Sequence, residues 1–263
     1  MIFFNERYFT KYITIMPEQG SIWLFVQLLF IVAFLYASVG HGGASGYLAL
    51  MALFSFAPSV MKSSSLMLNI FVSLISFYQY YKGGHFKWKL FWPFIITSIP
   101  ASFIGAYITL DALVYKKILG VLLVFPILRL LGIIGKKSDE IKEVRWMWAL
   151  LIGAIIGLLS GIIGIGGGII LSPVILLLHW GNMKQTAAVS ALFIFVNSIS
   201  GLSGLLLKGT VIDNHVYIWL LIAMAGGALG AYFARQQFSN QVLKVLLAVV
   251  LVIASIKLLT VDK

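Results

Sequence analysis

The stretch Leu159-Ser-Gly-Ile-Ile-Gly-Ile-Gly-Gly-Gly-Ile-Ile-Leu171 carries five glycines within eight residues, at positions 161, 164, 166, 167 and 168. Apolar sequence flanks it on both sides, and glycine weakens a helix and admits backbone conformations that are closed to other residues. A weaker copy, Ser38-Val-Gly-His-Gly-Gly-Ala-Ser-Gly46, lies upstream. The two copies predict two interruptions of apolar helices, one in each half of the chain.

The composition around these breaks is that of a membrane protein. The chain has 263 residues, of which 61% are hydrophobic and 10% are charged, which leaves too little polar surface for a water-soluble domain. The net charge of +11 comes from Lys and Arg that lie mostly in short stretches between apolar runs, as in cytoplasmic membrane loops. This distribution argues against a nucleic-acid partner. The chain has no cysteine, so disulfides and thiolate sites are excluded.

Apolar segments recur along the chain in two corresponding series, one in each half. The first series predicts helices over 21–39, 44–57, 63–81, 90–110 and 115–134, and the second over 146–163, 168–180, 185–207, 216–234 and 241–260. A spanning helix needs about 20 apolar residues, and the second member of each series is shorter. The sequence therefore predicts an all-α, polytopic transmembrane bundle of about eight to ten membrane segments, with short or glycine-broken helices near the midplane.

The two series match each other residue by residue. Residues 37–76 agree with residues 161–200 at ten of forty positions without a gap, and Gly105-Ala-Tyr107 recurs as Gly230-Ala-Tyr232. Glycines and a tripeptide kept in order are typical of a duplication. We therefore predict four parts: an N-terminal interfacial segment over 1–20, a transmembrane repeat over 21–134, a charged connector over 135–145, and a second, pseudo-symmetric repeat over 146–263.

Two topologies fit this pattern. Four crossings per half make the repeats parallel and place eleven basic residues on one side against five, with both termini cytoplasmic. Five crossings make the repeats inverted and give nine against seven. Charge favours the first arrangement, whereas the combined length of the first two helices is too great for one straight pass. A full helix followed by a re-entrant short one also fits.

Ionisable residues offer little for catalysis. No Asp or Glu lies inside an apolar segment, which argues against a buried carboxylate relay. The four histidines, at 41, 85, 179 and 215, form no metal-binding motif. We therefore expect no enzyme activity, no metal and no cofactor.

Small neutral polar residues remain as candidates for a transport pathway. Asn69, Ser73 and Ser76 share one face of their helix, and Thr186, Ser190 and Asn197 follow the same kind of stripe in the second half. Serines in membrane helices commonly bond to the preceding turn. An amide in hydrocarbon is costly unless it is hydrogen-bonded, so the two asparagines are the stronger candidates.

A glycine break followed by a helix is suited to capture an anion. The first N–H groups of a helix lack partners, the helix dipole adds partial positive charge there, and glycine lets a ligand come close. Transporters repeatedly use such discontinuous helices. The predicted substrate-binding residues are Gly40, His41, Gly42, Gly43, Asn69, Ser73, Gly164, Gly166, Gly167, Gly168, Thr186, Ser190 and Asn197. The expected partners are a small anion, the lipid bilayer and a coupling ion, proton or sodium; the oligomeric state stays open.

At these motifs the chain resembles the TauE/SafE family of sulfite exporters and sulfonate permeases. The resemblance rests on Gly161-x-x-Gly164-x-Gly166-Gly167-Gly168, on Gly40-His41-Gly42-Gly43, on Gly84-His85-Phe86-Lys87-Trp88 and on Lys208-Gly209, and it extends over about residues 21–260. It implies secondary transport, by alternating access, of sulfite, sulfonates or sulfoacetate across the bacterial cytoplasmic membrane, as an exporter. The first copy departs from the second, with His41 and Ala44 where the second has Ile165 and Gly168.

Other classes of function stay open at this point. The alternatives are a transporter or channel for another small anion, such as a carboxylate or a different oxyanion, and a membrane enzyme or assembly factor. A channel would show flux without saturation or coupling to an ion gradient, and an enzyme or assembly factor would show no anion flux.

Overall fold

The computed structural model describes residues 19–38, 43–133, 141–233 and 240–260. Within these ranges the regular structure is entirely helical, as the sequence predicts. Ten helices follow one another: α1 (Gln19–Ser38), α2 (Ala44–Leu53), α3 (Pro58–Lys82), α4 (Trp88–Tyr107), α5 (Ala112–Leu130), α6 (Trp146–Ile163), α7 (Gly168–Leu177), α8 (Met183–Leu207), α9 (His215–Phe233) and α10 (Asn240–Leu259).

The helix boundaries differ from the sequence prediction mainly at Pro58. The sequence predicted a short helix over 44–57 that ends directly before this proline, whereas the structure places Pro58 at the first position of α3. Proline suits that position because its fixed φ is helical and its missing N–H is not needed there. The short helix ends earlier, at Leu53, and Ser55 follows with a left-handed φ of 59°. Residues 1–18 of the predicted interfacial segment over 1–20, and residues 135–140 of the predicted connector over 135–145, lie outside the described residues.

The described helices form a membrane bundle. Four of them, α3, α4, α6 and α8, are long and apolar enough to cross a bilayer. Large apolar side chains such as Ile104 on α4 and Ile155 on α6 point outward and are more than half exposed. Polar side chains such as Ser98 and Asn197 are fully buried. An apolar exterior around a partly polar interior fits a chain whose solvent is lipid.

Glycines let α6 approach α4 until the backbones touch. A Cβ added at any of three glycines, one per turn of α6, would overlap a carbonyl oxygen of α4. The pairs are Gly153 with Phe94, Gly157 with Ser98, and Gly161 with Ser102. Because both residue numbers rise together, the two helices run parallel. Small residues at such spacing are the usual means of packing membrane helices closely.

The same contact occurs between α1 and α9. Gly226 faces the Phe30 carbonyl, and Gly230 faces the Phe34 carbonyl, so these helices are also parallel. Gly105 of α4 makes the corresponding contact with the Leu158 carbonyl of α6. The Gly105 and Gly230 tripeptides were matched in the sequence, and Leu158 lies 124 positions after Phe34. The first helix of each half thus packs on the fourth helix of the other, as a two-fold relation between the halves would require.

Helix directions favour one of the two topologies. Leu66 of α3 lies beside Gly201 of α8, and Asn69 lies with Ser198 around Gly166, so α3 and α8 run antiparallel. Trp180, in the loop after α7, packs on Phe94 of α4 at a ring distance of 6.0 Å. Phe94 also contacts Gly153 in the first half of α6, so the loop after α7 returns to the start of α6. α6 and α7 therefore form a hairpin. These directions favour inverted repeats over the four-crossing arrangement that the charge count favours; the duplication itself stays a prediction.

The glycine contacts of α6 predict a sharp difference between two helical glycines. Gly157→Ala puts a methyl group into the Ser98 backbone, so α4 and α6 must separate, and we expect a cost of about 1–3 kcal/mol. Gly227→Ala is the matched control, because its nearest neighbour would be a Val72 methyl group at 3.8 Å, and alanine favours the helix. Thermal unfolding in detergent measures both. Equal stability of the two variants would contradict the proposed packing.

Candidate functional site

Three glycines of the second break need a left-handed backbone. Gly164, Gly166 and Gly167 have φ values of 85°, 73° and 75°, a region that side chains with a Cβ rarely enter. Gly164 ends α6, and its N–H donates to the Ser160 carbonyl at 2.8 Å. Gly167 precedes α7, and no side chain caps that helix terminus. The glycines therefore turn the chain back within four residues and leave the α7 N-terminus open.

The α7 N-terminus points into the interior of the bundle, between α3 and α8. A Cβ at Gly166 would lie 3.2 Å from Asn69 Nδ2 and 3.1 Å from Ser198 Oγ. A Cβ at Gly168 would lie 2.8 Å from the Ser190 carbonyl. The start of α7 thus packs on Ile194 of α8, which lies nearest to both glycines, and the Asn69 amide and the Ser198 hydroxyl lie beside Gly166 at the positive end of the α7 dipole.

Several buried polar atoms at this place lack hydrogen-bond partners within the described part of the chain. Both polar atoms of the Asn69 amide and Ser198 Oγ, beside Gly166, and Ser160 Oγ, beside Gly167, are among them. Ser73 Oγ, one turn along α3 from Asn69, and Asn197 Oδ1, on the residue before Ser198, also lack partners. A buried polar group without a partner costs about 1–3 kcal/mol. Native proteins keep few such groups, and each calls for a functional explanation. The unsatisfied groups beside Gly166 and Gly167 make this turn a candidate binding site.

Asn197 is held more firmly than Asn69. Its Nδ2 donates to Ser98 Oγ at 3.1 Å and to the Phe193 carbonyl at 2.9 Å. Ser102 Oγ donates in turn to the backbone carbonyl of Asn197 at 3.0 Å. These bonds tie α8 to α4 and fix the orientation of the Asn197 amide. Asn197 is therefore a positioned side chain with one unsatisfied oxygen, whereas the whole Asn69 amide is unsatisfied.

The serines of α3 separate into two groups. Ser63 and Ser76 donate to the Ser59 and Val72 carbonyls one turn earlier, both at 3.0 Å, which is the ordinary structural role of serine in a membrane helix. Ser73 makes no such bond and is buried one turn from Asn69. Ser73, a predicted substrate-binding residue, therefore differs from Ser76, which shares its predicted stripe but bonds within the helix.

The remaining predicted residues of the second half follow α8 away from the glycine turn. Ser190 Oγ bonds to Ser172 Oγ of α7 at 2.7 Å, which ties these two helices together. Thr186 lies one turn earlier, beside Gly181 and thus towards the opposite end of α7, and its hydroxyl lacks a partner among the described residues. The structure brings Asn69 beside Gly166 and the Ser190 backbone beside Gly168. Asn197 precedes Ser198, which also lies beside Gly166, whereas Thr186 lies apart from this group.

The first break has a different environment. Gly40, His41 and Gly42 lie outside the described residues, so only Gly43 of that predicted set has a described position. Gly43 has a φ of −73°, which any residue can adopt, and the Tyr47 ring lies against it. Tyr36 Oη and Ser45 Oγ form a hydrogen bond of 2.6 Å beside it. A Cβ at Gly167 instead meets Phe193 and Ile156, so the described surroundings of Gly43 and Gly167 differ.

Three further residues that the structure brings to the site were not predicted from the sequence. Ser98 and Ser102 of α4 bond to Asn197, and their spacing of four in an apolar helix was an available signal. Lys62 lies against Gly164, with its Cα and carbonyl oxygen each 2.9 Å from a Cβ built there. Its signal was the spacing of seven to Asn69, which puts both on one helix face.

The chemistry of the site suits an anion. Amides, hydroxyls and the open α7 terminus supply hydrogen-bond donors, whereas the acidic residues within the described ranges, Asp111, Glu143 and Asp213, lie outside it. No group of three metal-ligating His, Cys, Asp or Glu residues occurs in the described part either.

Comparisons with known proteins agree on one family. The family model described as "Sulfite exporter TauE/SafE" matches residues 25–258. A "Probable membrane transporter protein" of Sinorhizobium fredii is 38% identical over 234 residues, which cover 88% of this chain and 95% of the relative. One of Methanocaldococcus jannaschii is 29% identical over 218 residues, or 76% of this chain and 80% of the relative.

A plant relative and the solved structures complete the comparison. "Sulfite exporter TauE/SafE family protein 6" of Arabidopsis thaliana is 42% identical over 82 residues, which cover 30% of this chain and 18% of the relative. No solved structure matches the chain.

The contrast between the two asparagines predicts opposite effects on stability. Asn197→Leu removes two hydrogen bonds and leaves Ser98 without its partner, so we expect a loss of about 1–3 kcal/mol. Asn69→Leu, of similar size, removes an unsatisfied amide and is expected to be neutral or stabilising while weakening anion binding. Thermal unfolding with and without anion measures both effects. A destabilised Asn69→Leu protein would show that its amide has a structural partner.

Proposed function

The chain belongs to the TauE/SafE sulfite exporter family, and from that premise we propose that it carries small sulfur-containing anions through the bilayer. It is a multi-pass membrane transporter of that family. We assign sulfite, sulfonates and sulfoacetate as the class of cargo, alternating access as the mechanism, and export from the cytoplasm across the bacterial inner membrane as the direction.

One observation carries this proposal, the open N-terminus of α7 beside unsatisfied polar groups. Gly166, directly before α7, lies beside the Asn69 amide and the Ser198 hydroxyl. The N–H groups and dipole at a helix N-terminus favour an oxyanion, and the Asn69 amide adds a donor that has no partner in the described residues.

Dehydration explains why such groups are retained. A sulfur oxyanion that enters the bilayer loses hydrogen bonds from water, and a loss of this size blocks passage unless the protein replaces them. Backbone N–H groups, the Asn69 amide and the Ser198 hydroxyl can donate to several oxygens of one anion. The cost of keeping these groups unpaired is then offset only when the anion is bound, which is the property that a transporter needs.

Charge alone does not select sulfur. A carboxylate or another oxyanion accepts the same hydrogen bonds, so a transporter of a different small anion is the alternative that experiments must separate. A proton or sodium gradient is the expected driving force; flux that is independent of both gradients would instead support a channel.

Flux measurements on two left-handed glycines test the site. Gly167→Leu places a side chain against Phe193 and Ile156 at the start of α7, and we expect sulfite or sulfonate flux in proteoliposomes to be abolished. Gly209→Leu is the control, because Gly209 has a similar φ of 86° but no neighbour within 4 Å and lies after α8. It matches the backbone strain without touching the site.

The outcomes separate the site from the cargo. Both variants must elute as monodisperse protein, so that lost flux does not reflect unfolding. Unchanged flux in Gly167→Leu would overturn the site assignment. Wild-type flux of a carboxylate without any flux of sulfite or sulfonate would overturn the sulfur cargo and leave the site standing.

A further inference from the structure

Lys62 is a buried cation that the proposed function has not yet used. It lies in the second turn of α3 and is 7% exposed. The ion pair found within the described residues joins His215 and Asp213 and does not involve Lys62. No described carboxylate contacts Lys62. An unpaired ammonium group is expensive to bury, since desolvation is not offset by an opposite charge.

The position of Lys62 relates it to the anion site in two ways. First, it begins a buried polar stripe along one face of α3, since Lys62, Ser65, Asn69, Ser73 and Ser76 follow at intervals of three or four residues. Second, it touches the glycine turn: a Cβ at Gly164 would lie 3.0 Å from Lys62 Cγ. The cation, the unsatisfied Asn69 amide and the turn before α7 therefore share one side of α3.

A hydrogen bond to a helix end holds Lys62 without neutralising it. Lys62 Nζ donates to the Ala106 carbonyl at 3.1 Å, at the C-terminus of α4. The partial negative charge of a helix C-terminus offsets only part of a full positive charge. An ammonium group has three N–H donors, so two remain for another acceptor. Lys208 Nζ donates to the neighbouring Tyr107 carbonyl at 2.7 Å, which adds a second, exposed cation at the same helix end.

We propose that Lys62 supplies the fixed positive charge of the transport site and binds the oxyanion directly as it passes the glycine turn. This rests on the proposed function, because it assumes an anion as cargo. It adds a residue and a criterion of selectivity: a full negative charge is required, and neutral molecules of the same size are rejected. A purely structural lysine would instead serve only to cap α4.

Anion binding by charge variants of Lys62 separates these two roles. Binding to purified protein in detergent is measured as the anion-dependent rise in unfolding temperature and by calorimetry, with sulfite, isethionate, sulfate, phosphate and acetate as probes. We expect Lys62→Met to weaken binding about 10- to 100-fold, as for a lost charge-assisted hydrogen bond. Lys62→Arg keeps the charge and should stay within about threefold of wild type. Lys62→Gln, neutral but still a donor, replaces Lys62→Met if the latter does not fold.

Lys208→Met is the matched control. It also removes a cation that bonds to the C-terminus of α4, but the Lys208 ammonium group is exposed and its charge is therefore screened by solvent and salt. It should bind within about threefold of wild type. Unchanged binding in Lys62→Met, or an equal loss in Lys208→Met, overturns the assignment of Lys62.

The probes also distinguish this inference from the proposed function. If wild type binds acetate or phosphate rather than sulfite and isethionate, and Lys62→Met loses that binding, the sulfur cargo fails and Lys62 stands. If wild type binds sulfite and Lys62→Met does so equally, Lys62 fails and the cargo stands. Absence of binding for every probe in wild type overturns both.

Discussion

The left-handed turn at Gly164, Gly166 and Gly167 is the constraint on which the second half of the structure depends. Backbone within a bilayer must satisfy its polar groups internally or line a polar space. These glycines reverse the chain between α6 and α7 within a few residues, so only a short piece of backbone leaves helical geometry. They also aim the open terminus of α7 at α3 and α8. A residue with a side chain at Gly166 would strain the turn and fill the space beside Asn69 and Ser198.

Much of the fold could be predicted, because the length and spacing of apolar segments decide where helices lie in a membrane. All ten predicted segments contain a helix, and the boundaries of α6 agree with the prediction. Pro58 was assigned to the wrong helix because proline fits both after one helix and at the start of another. The relative direction of α3 and α8 could not be predicted from the sequence, since a count of loop charges gives no information about how these two helices pack. Nor could sequence show that α6 packs on α4, a contact made through backbone carbonyls.

The residue types of the candidate site could be predicted from the sequence, but which of its side chains are hydrogen-bonded and which are unsatisfied could not. A stripe of Asn and Ser on one helix face is visible in the sequence, yet Ser76 bonds within its own helix and Ser73 does not. Which polar group is satisfied depends on neighbours from other helices, as Ser98 shows for Asn197. Lys62 was not predicted as a site residue, because a lysine near a helix start is interpreted as a loop charge until its burial is known.

The hydrogen bonds between helices are distributed unevenly around the candidate site. Thr97 of α4 donates to the Leu150 carbonyl of α6 at 2.6 Å, and Ser200 of α8 donates to the Ile99 carbonyl of α4 at 2.7 Å. α4 is thus bonded to both α6 and α8. Asn69 of α3 instead lies beside the glycine turn, and neither its amide nor Ser73 Oγ has a partner in the described residues. Lys62 bonds α3 to the C-terminus of α4. Unsatisfied groups therefore lie where α3 meets these helices, and at that boundary the proposed anion would gain hydrogen bonds.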